Sequence, residues 1–527
     1  MKNRLLVLSA IFMVVLIGCV KDNFDMTKVK GLPEYNPSLA APLVTAELSL
    51  KNILDKNDND IVQVDNEGFI SLIFTDELFS STAEEIMVLP NQSVTQNISP
   101  GIDAPSGLPS SPTITFEDTQ KMTMSVGANQ LKLIILKGGT FSLSGSSSIN
   151  ANINVDISIP SLTSNGIPFQ QALVLTPNGS DNVSVDLNSY ELDLTNGGTS
   201  VNELEINYTL SIEGTGQPVG AADEINFSLD ITDMQFSEIQ GNLDFSDATP
   251  QQDTVGISLF NVAAGLGDFS IVDPLIKLYS FNSFGASLEI NFDKLEGINT
   301  ISGINYDLVA SGAVSNTEII SGPDITQKGQ TIQDSILIEG NAVVNMIADQ
   351  PKYLIYDLNV QAPNTDIFIL DTSKLKFNTL VELPVHGTAN GFTLIDTLGF
   401  DIAMEYVEKL TLTSKISNGF PLEFNMVCYA LEDINGIWTV TDTANFFDES
   451  GLLAISGQLD AQGRVDSKAI TEVNVELDEQ STQNFAQASR IIVKATGATT
   501  NAGGTNVKFY EDYSLEIKIG AIASIKL

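Results

Sequence analysis

The chain has 527 residues, with 25 Lys plus Arg against 66 Asp plus Glu, which gives a formal net charge of −41. Nucleic acid and anionic lipid headgroups are not expected partners, because both need clusters of basic side chains. A hydrophobic content of 43% is ample for packed cores, so the length predicts either three or four domains or two large ones.

The first 18 residues have the order of an export signal. Lys2 and Arg4 precede the apolar run Leu5–Ile17, which at about 1.5 Å per helical residue cannot cross a hydrocarbon core of about 30 Å. The run closes as Leu-Ile-Gly-Cys at Cys19, which resembles the lipobox of bacterial lipoproteins. The resemblance implies cleavage before Cys19 and a lipid on its thiol, while the alternative is an ordinary secretory signal.

Residues 19–42 follow as a predicted tether that contains several prolines. Lys21 and Asp22 resemble the surface-export signal of outer-membrane lipoproteins in the Bacteroidota, although Asn23 stands where a second acid is usual. The resemblance implies a lipid-anchored protein of the outer membrane that is displayed at the cell surface, and the periplasmic face is the alternative.

Apolar and polar residues alternate with a period of two over long stretches, as in Ile149–Ile159 and Tyr513–Ile519. This period predicts strands with one buried face. Lys137–Thr140, with two glycines, predicts a hairpin turn, and Asp478–Ser489 predicts one short helix. The fold class is therefore all-β, with antiparallel sheets in tandem immunoglobulin-like sandwiches. The predicted regions are 43–250 (one or two sandwiches), 251–385 and 386–527. The general pattern resembles the β-sandwich lipoproteins of Bacteroidota.

An internal repeat is suggested by three turns. Asn165, Asn282 and Asn418 each follow a predicted strand and precede another, at intervals of 117 and 136 residues. Those intervals match sandwich domains. The alternative is that turns with Asn and Gly are common in β proteins.

Residue types that carry catalysis are scarce. His386 is the only histidine and no nucleophile motif accompanies it, and Cys428 alternates with core-like residues. Together they cannot supply a zinc site. Trp438, the only tryptophan, is expected to pack at the start of a strand.

Two weaker motifs concern ions and glycans. Asp55, Asn57 and Asn59 have the spacing of calcium ligands, but later loop positions lack the required Gly and Glu, so a solvated turn is expected. Four Asp-Ser/Thr-apolar triplets resemble the O-glycosylation signal of Bacteroidota. Their hydroxyls belong to Thr254, Ser335, Thr397 and Thr443.

These observations favour a non-enzymatic lipoprotein with a binding or scaffolding role and no cofactor. Its expected partners are the membrane, through the N-terminal lipid, and other envelope proteins or surface glycans. The alternatives are a lipid carrier with an apolar tunnel and a polysaccharide hydrolase that uses two carboxylates.

Overall fold

The computed structural model describes residues 38–50, 61–109, 113–245, 252–257, 268–399, 407–446 and 454–525. Antiparallel strands dominate these residues, so the predicted all-β fold class is confirmed. No helix among the described residues is long and apolar enough to span a bilayer.

The strands are numbered in chain order. The first half of the set is β1 (Ser38–Ser49), β2 (Val62–Val64), β3 (Ile70–Thr82), β4 (Gln92–Ile98), β5 (Ile114–Thr123), β6 (Gln130–Ser147), β7 (Asn152–Ser164), β8 (Ile167–Leu175), β9 (Ser180–Asp186), β10 (Glu191–Asp193), β11 (Glu203–Glu213), β12 (Ile225–Asn242), β13 (Asp253–Gly256), β14 (Asp268–Ile271), β15 (Leu275–Asn282) and β16 (Leu288–Ile298). The second half is β17 (Asn305–Asp307), β18 (Thr317–Ile320), β19 (Ile332–Ile338), β20 (Tyr353–Gln361), β21 (Ile367–Leu370), β22 (Lys374–Pro384), β23 (His386–Gly399), β24 (Val407–Asn418), β25 (Leu422–Ile434), β26 (Ile437–Phe446), β27 (Gln458–Leu459), β28 (Val465–Ser467), β29 (Ala469–Glu476), β30 (Arg490–Thr499), β31 (Val507–Lys508) and β32 (Ser514–Ile525).

Helices are short. They are α1 (Ala83–Ile86), α2 (Asn341–Ala348), α3 (Glu479–Gln487) and α4 (Thr500–Gly503), with one 3-10 turn at Ile325–Gln327. The predicted helix near Asp478 is confirmed as α3. The Asp478 side chain accepts the Ser481 backbone N–H at 2.8 Å, as an N-cap residue does.

The described residues form two compact units. The larger unit takes its residues from Leu50–Phe392 and Asn501–Asp512, and the smaller from Met1–Ser49, Thr393–Thr500 and Tyr513–Leu527. The larger unit contains residues 50–250 of the predicted region 43–250 and the whole of the predicted region 251–385. The separate status of these two regions as domains stays a prediction. Residues 38–42, expected to end the tether, instead belong to β1, which pairs with β32.

A large sheet fills the first part of the larger unit, in the order β21-β12-β6-β10-β7-β11-β5. The predicted alternation in β7 is confirmed, because Ile153, Val155 and Ile157 are buried. The hairpin turn predicted at Lys137–Thr140 is wrong, since β6 runs straight through it. There the register with β12 shifts between Thr232 and Glu238, so the glycines allow a bulge instead of a turn.

Each unit contains a sandwich with the same strand plan. In the larger unit one sheet has the order β3-β22-β15-β19, and in the smaller unit one sheet has the order β1-β32-β24-β29. In both, the last strand leads through a helix, α2 or α3, into the second sheet, where β20 pairs with β16 and β30 pairs with β25. The two sandwiches are therefore structural repeats of one another.

The repeat extends to single hydrogen bonds at the turns after β15 and β24. Asn282 Oδ1 accepts the Phe284 N–H at 2.9 Å, and Asn418 Oδ1 accepts the Phe420 N–H at 2.9 Å. Both asparagine side chains are fully buried. Asn165, the third suggested member, is not equivalent: it is exposed in the β7–β8 hairpin turn with a φ of 51°.

Candidate binding surface

The hairpin β25–β26 of the smaller unit ends in a two-residue turn. Asn435 and Gly436 have φ of 57° and 83°, as a type I′ turn requires, and the Asp433 carboxylate accepts the Gly436 N–H at 2.6 Å. The turn places Ile434 opposite Ile437 and Asp433 opposite Trp438. The sequence therefore specifies the register of this hairpin locally.

The tip of this hairpin exposes large apolar side chains. Ile437 is 69% exposed, Val440 51%, Ile434 44% and Trp438 40%. We call these four residues the hairpin surface. Single exposed apolar residues are ordinary, but several large ones at the tip of one hairpin are typical of an interaction site.

Trp438 is held by a basic side chain. The Arg490 guanidinium carbon, on β30, lies 4.1 Å from the centre of the indole ring, which is a cation–π contact. Arg490 is one of three arginines in the chain, and Trp438 is the only tryptophan. The contact fixes the indole while leaving part of it exposed, which suits a preformed binding residue.

Strand β26 is also the edge of its sheet. Among the described residues it pairs only with β25. In its second half, the Asn484 side chain of α3 donates to the Thr441 carbonyl at 3.4 Å and to the Asp442 carboxylate at 3.0 Å. The segment Ile437–Val440 has no such cover in the part of the chain that is described.

Two other edge strands carry several charged side chains. In the larger unit, β5 carries Glu117, Asp118 and Lys121, and in the smaller unit β29 carries Glu472 and Glu476. Charged side chains on an edge discourage pairing with other chains. The first four residues of β26 are Ile-Trp-Thr-Val, so this edge lacks that protection.

The sandwich of the larger unit has a related tip at the equivalent hairpin, β16–β17. Ile301 is 83% exposed and Ile304 47%. This tip contains no aromatic residue, and its loop is tied down by Asn299, whose Oδ1 accepts the Ile301 N–H at 2.7 Å. The apolar tip thus recurs at the same place in both repeats.

The cavities described here are weaker candidates for a binding site than the hairpin surface. An open groove of about 870 Å³ in the smaller unit is polar and includes Glu408, Lys409, Glu476, Asp478 and Glu479. An enclosed apolar cavity in the larger unit measures about 20 Å³, which is room for about one water-sized group and not for an acyl chain. Its lining is Leu50, Ile70, Leu72, Phe269, Val385, Phe392 and Phe509.

Several predicted site residues lie outside the described residues, so they stay predictions. They are Cys19, Lys21 and Asp22 of the anchor and Asp55, Asn57 and Asn59 of the weak calcium motif. Within the described residues, no group of three or more His, Cys, Asp or Glu side chains is placed to hold a metal ion.

The four predicted glycosylation hydroxyls are all exposed on strands. They are Thr254, Ser335, Thr397 and Thr443. In each triplet the aspartate Oδ1 accepts the N–H of the hydroxyl residue, at 2.7 or 2.8 Å. The hydroxyls are accessible to an enzyme, and their modification stays a prediction.

The remaining reactive residue types are not brought together. Cys428 is 1% exposed, and burial raises the pKa of its thiol to about 12, so it is a core residue. His386 Nδ1 lies 3.5 Å from an Asp273 carboxylate oxygen at a half-buried position. Trp438 lies near the start of β26, as expected, but the residue is 40% exposed and its strand is an edge, so it is not a core residue.

Comparisons with known proteins give only distant likenesses. No protein-family model matches the chain. No curated protein matches it significantly. Among solved structures, a predicted secreted protein from Parabacteroides distasonis is 11% identical with a TM-score of 0.22, covering 66% of this chain and 99% of that one. The exported protein XepA of PBSX is 7% identical with a TM-score of 0.13, covering 51% of this chain and 84% of that one.

Proposed function

We propose that this protein is a non-enzymatic, membrane-anchored lipoprotein that binds another envelope protein through the hairpin surface. The observation that carries the proposal is the exposure of four large apolar side chains at the tip of one edge hairpin, namely Ile434, Ile437, Trp438 and Val440. Lipid on Cys19 would hold the chain to the outer membrane, with the β units displayed at the cell surface.

The chemistry of the surface favours a protein over other ligands. Interface cores are enriched in Trp, Arg and large apolar residues, and Trp and Arg dominate binding energy there. A membrane made of anionic lipid is disfavoured by the net charge of −41. The small apolar cavity gives no support to the lipid-carrier alternative.

The test is affinity purification of the detergent-extracted lipoprotein with quantitative mass spectrometry. Ile437→Ser removes an apolar contact at the tip, and Ile470→Ser is the matched control, because Ile470 is 63% exposed on the edge strand β29. We expect Ile437→Ser to weaken retention of the partner at least about tenfold and the control to leave it unchanged.

Two outcomes would contradict the proposal. One is that no protein is enriched on the native lipoprotein. The other is that the partner is retained equally by both variants. If a surface glycan binds and its binding depends on Ile437, the hairpin surface is still a binding site, but its ligand is a glycan and not the proposed protein.

A further inference from the structure

We propose that the partner binds by adding an extended strand to the edge of β26 at Ile437–Val440. This inference rests on the proposed function and specifies how its surface is used. Addition of a strand to a sheet edge draws affinity from backbone hydrogen bonds and specificity from alternate side chains.

The hairpin register identifies the backbone groups that remain available. In an antiparallel pair, opposite residues alternate between hydrogen-bonded and non-hydrogen-bonded pairs. The two-residue turn makes Ile434 and Ile437 a bonded pair, and Glu432 and Thr439 the next one. The N–H and C=O groups of Trp438 and Val440 therefore point away from β25, toward the open edge.

The side chains next to these backbone groups determine which side chains are favourable on the added strand. Trp438 and Val440 lie on one face of the sheet, and Ile437 and Thr439 on the other. Trp438 is already oriented by Arg490. An added strand would gain apolar contacts on both faces, and most strongly beside the indole.

The negative charge of this chain indicates which kind of extended strand can bind at the edge of β26. Glu432 and Asp433 flank the open segment on β25, and the chain as a whole carries −41. A second copy of this chain would bring the same excess of negative charge, which disfavours self-pairing. The occupant that fits is a strand of another protein with alternating apolar and basic residues.

The open segment also limits the length of the added strand. Asn484 binds the edge at Thr441 and Asp442, so pairing would stop there. Four residues at about 3.3 Å each span about 13 Å. We therefore expect a short strand that inserts between the turn and α3.

The probe is an acetylated octapeptide of alternating Lys and Val, added to the full-length lipoprotein in detergent. Because Trp438 is the only tryptophan, its fluorescence reports directly from the site. We expect a saturable shift of Trp438 emission. Methylation of alternate backbone nitrogens of the peptide should weaken binding at least about tenfold, because the edge hydrogen bonds are lost.

Two further comparisons complete the test. Val440→Pro removes an outward N–H that the native ladder does not use, and should abolish the shift, whereas Val440→Thr should preserve it. An octapeptide of alternating Glu and Val should bind at least about tenfold more weakly at low salt.

Strand addition is overturned if the Lys-Val peptide produces no shift, or if its N-methylated form binds equally well. If that happens while Ile437→Ser still removes the partner in the purification above, the proposed function stands and only the mode of binding fails. If neither peptide nor partner binds, both fail.

Discussion

Asn282 and Asn418 make the same set of hydrogen bonds in two different sandwiches. The Nδ2 of Asn282 donates to the carbonyls of Ala286 (2.9 Å) and Ser321 (3.2 Å), and the Nδ2 of Asn418 donates to those of Leu422 (2.7 Å) and Ile455 (2.8 Å). In each case one partner lies four residues ahead. A buried amide thus links a turn to a distant segment at the same point of both repeats.

Removing either amide should therefore destabilise its own unit. We expect Asn282→Ala and Asn418→Ala each to lower the free energy of unfolding by about 1–3 kcal/mol or more, because buried backbone groups lose their partners. Chemical denaturation measures the change. Asn474→Ala is the control, since Asn474 is exposed on β29, and should stay within about 0.5 kcal/mol. A loss at Asn418 no larger than at Asn474 would refute this role.

The cation–π contact should set both the fluorescence and the affinity of the hairpin surface. Arg490→Ala should shift Trp438 emission and weaken partner binding by about 0.5–1 kcal/mol. Arg490→Lys, which keeps the charge without the planar stack, should be intermediate. Emission spectra and titrations of the three proteins provide the comparison. Identical spectra would show that the contact does not form in solution.

A thiol reagent should distinguish the two cysteines, Cys19 and Cys428. Because burial raises the pKa of Cys428 to about 12, its thiol stays protonated and shielded at pH 8. Lipid on Cys19 would remove the other thiol. We expect a thiol reagent to find no reactive cysteine in the native mature protein and one after unfolding in guanidinium. A second thiol after unfolding would show that Cys19 is not lipidated.

Acid should weaken one contact of the large sheet. The Tyr208 hydroxyl donates to the Asp118 carboxylate at 2.9 Å, and this bond is the main reason that the pKa of Asp118 lies below its usual value of 3.8. A depressed carboxyl pKa stabilises the fold above the unfolded pKa, and that stability is lost as the pH falls through the folded pKa. Tyr208→Phe should thus have a lower free energy of unfolding than wild type at pH 7. Denaturation at lower pH should show that this difference between the two proteins becomes smaller below about pH 4. A difference in free energy of unfolding that stays constant with pH would contradict this role of the Tyr208–Asp118 hydrogen bond.

Local patterns predicted much of the fold. Alternation identified β7 because one face of that strand is buried, and Asp478 marked the start of α3 because it can cap the free N–H groups. Distant pairings could not be predicted in this way. Thr45 and Lys518 pair across β1 and β32, and nothing in either segment specifies the other.

The candidate surface was missed for a related reason. The sequence around Trp438 correctly indicated the start of a strand, but the exposure of that strand depends on which strand ends the sheet. The neighbour that orients the ring, Arg490, is 52 residues away in the sequence. An apolar run at a strand start, without the usual charged residue of an edge, was the only local signal.

The central claim is that the hairpin surface contacts another protein in the envelope. Its most direct test places a photoreactive benzoylphenylalanine at Ile437, and separately at Ile470, in the protein as it is expressed in living cells. After irradiation, we predict a discrete crosslinked protein from position 437 and none from position 470. No crosslink at position 437, or equal crosslinks at both positions, would contradict the claim.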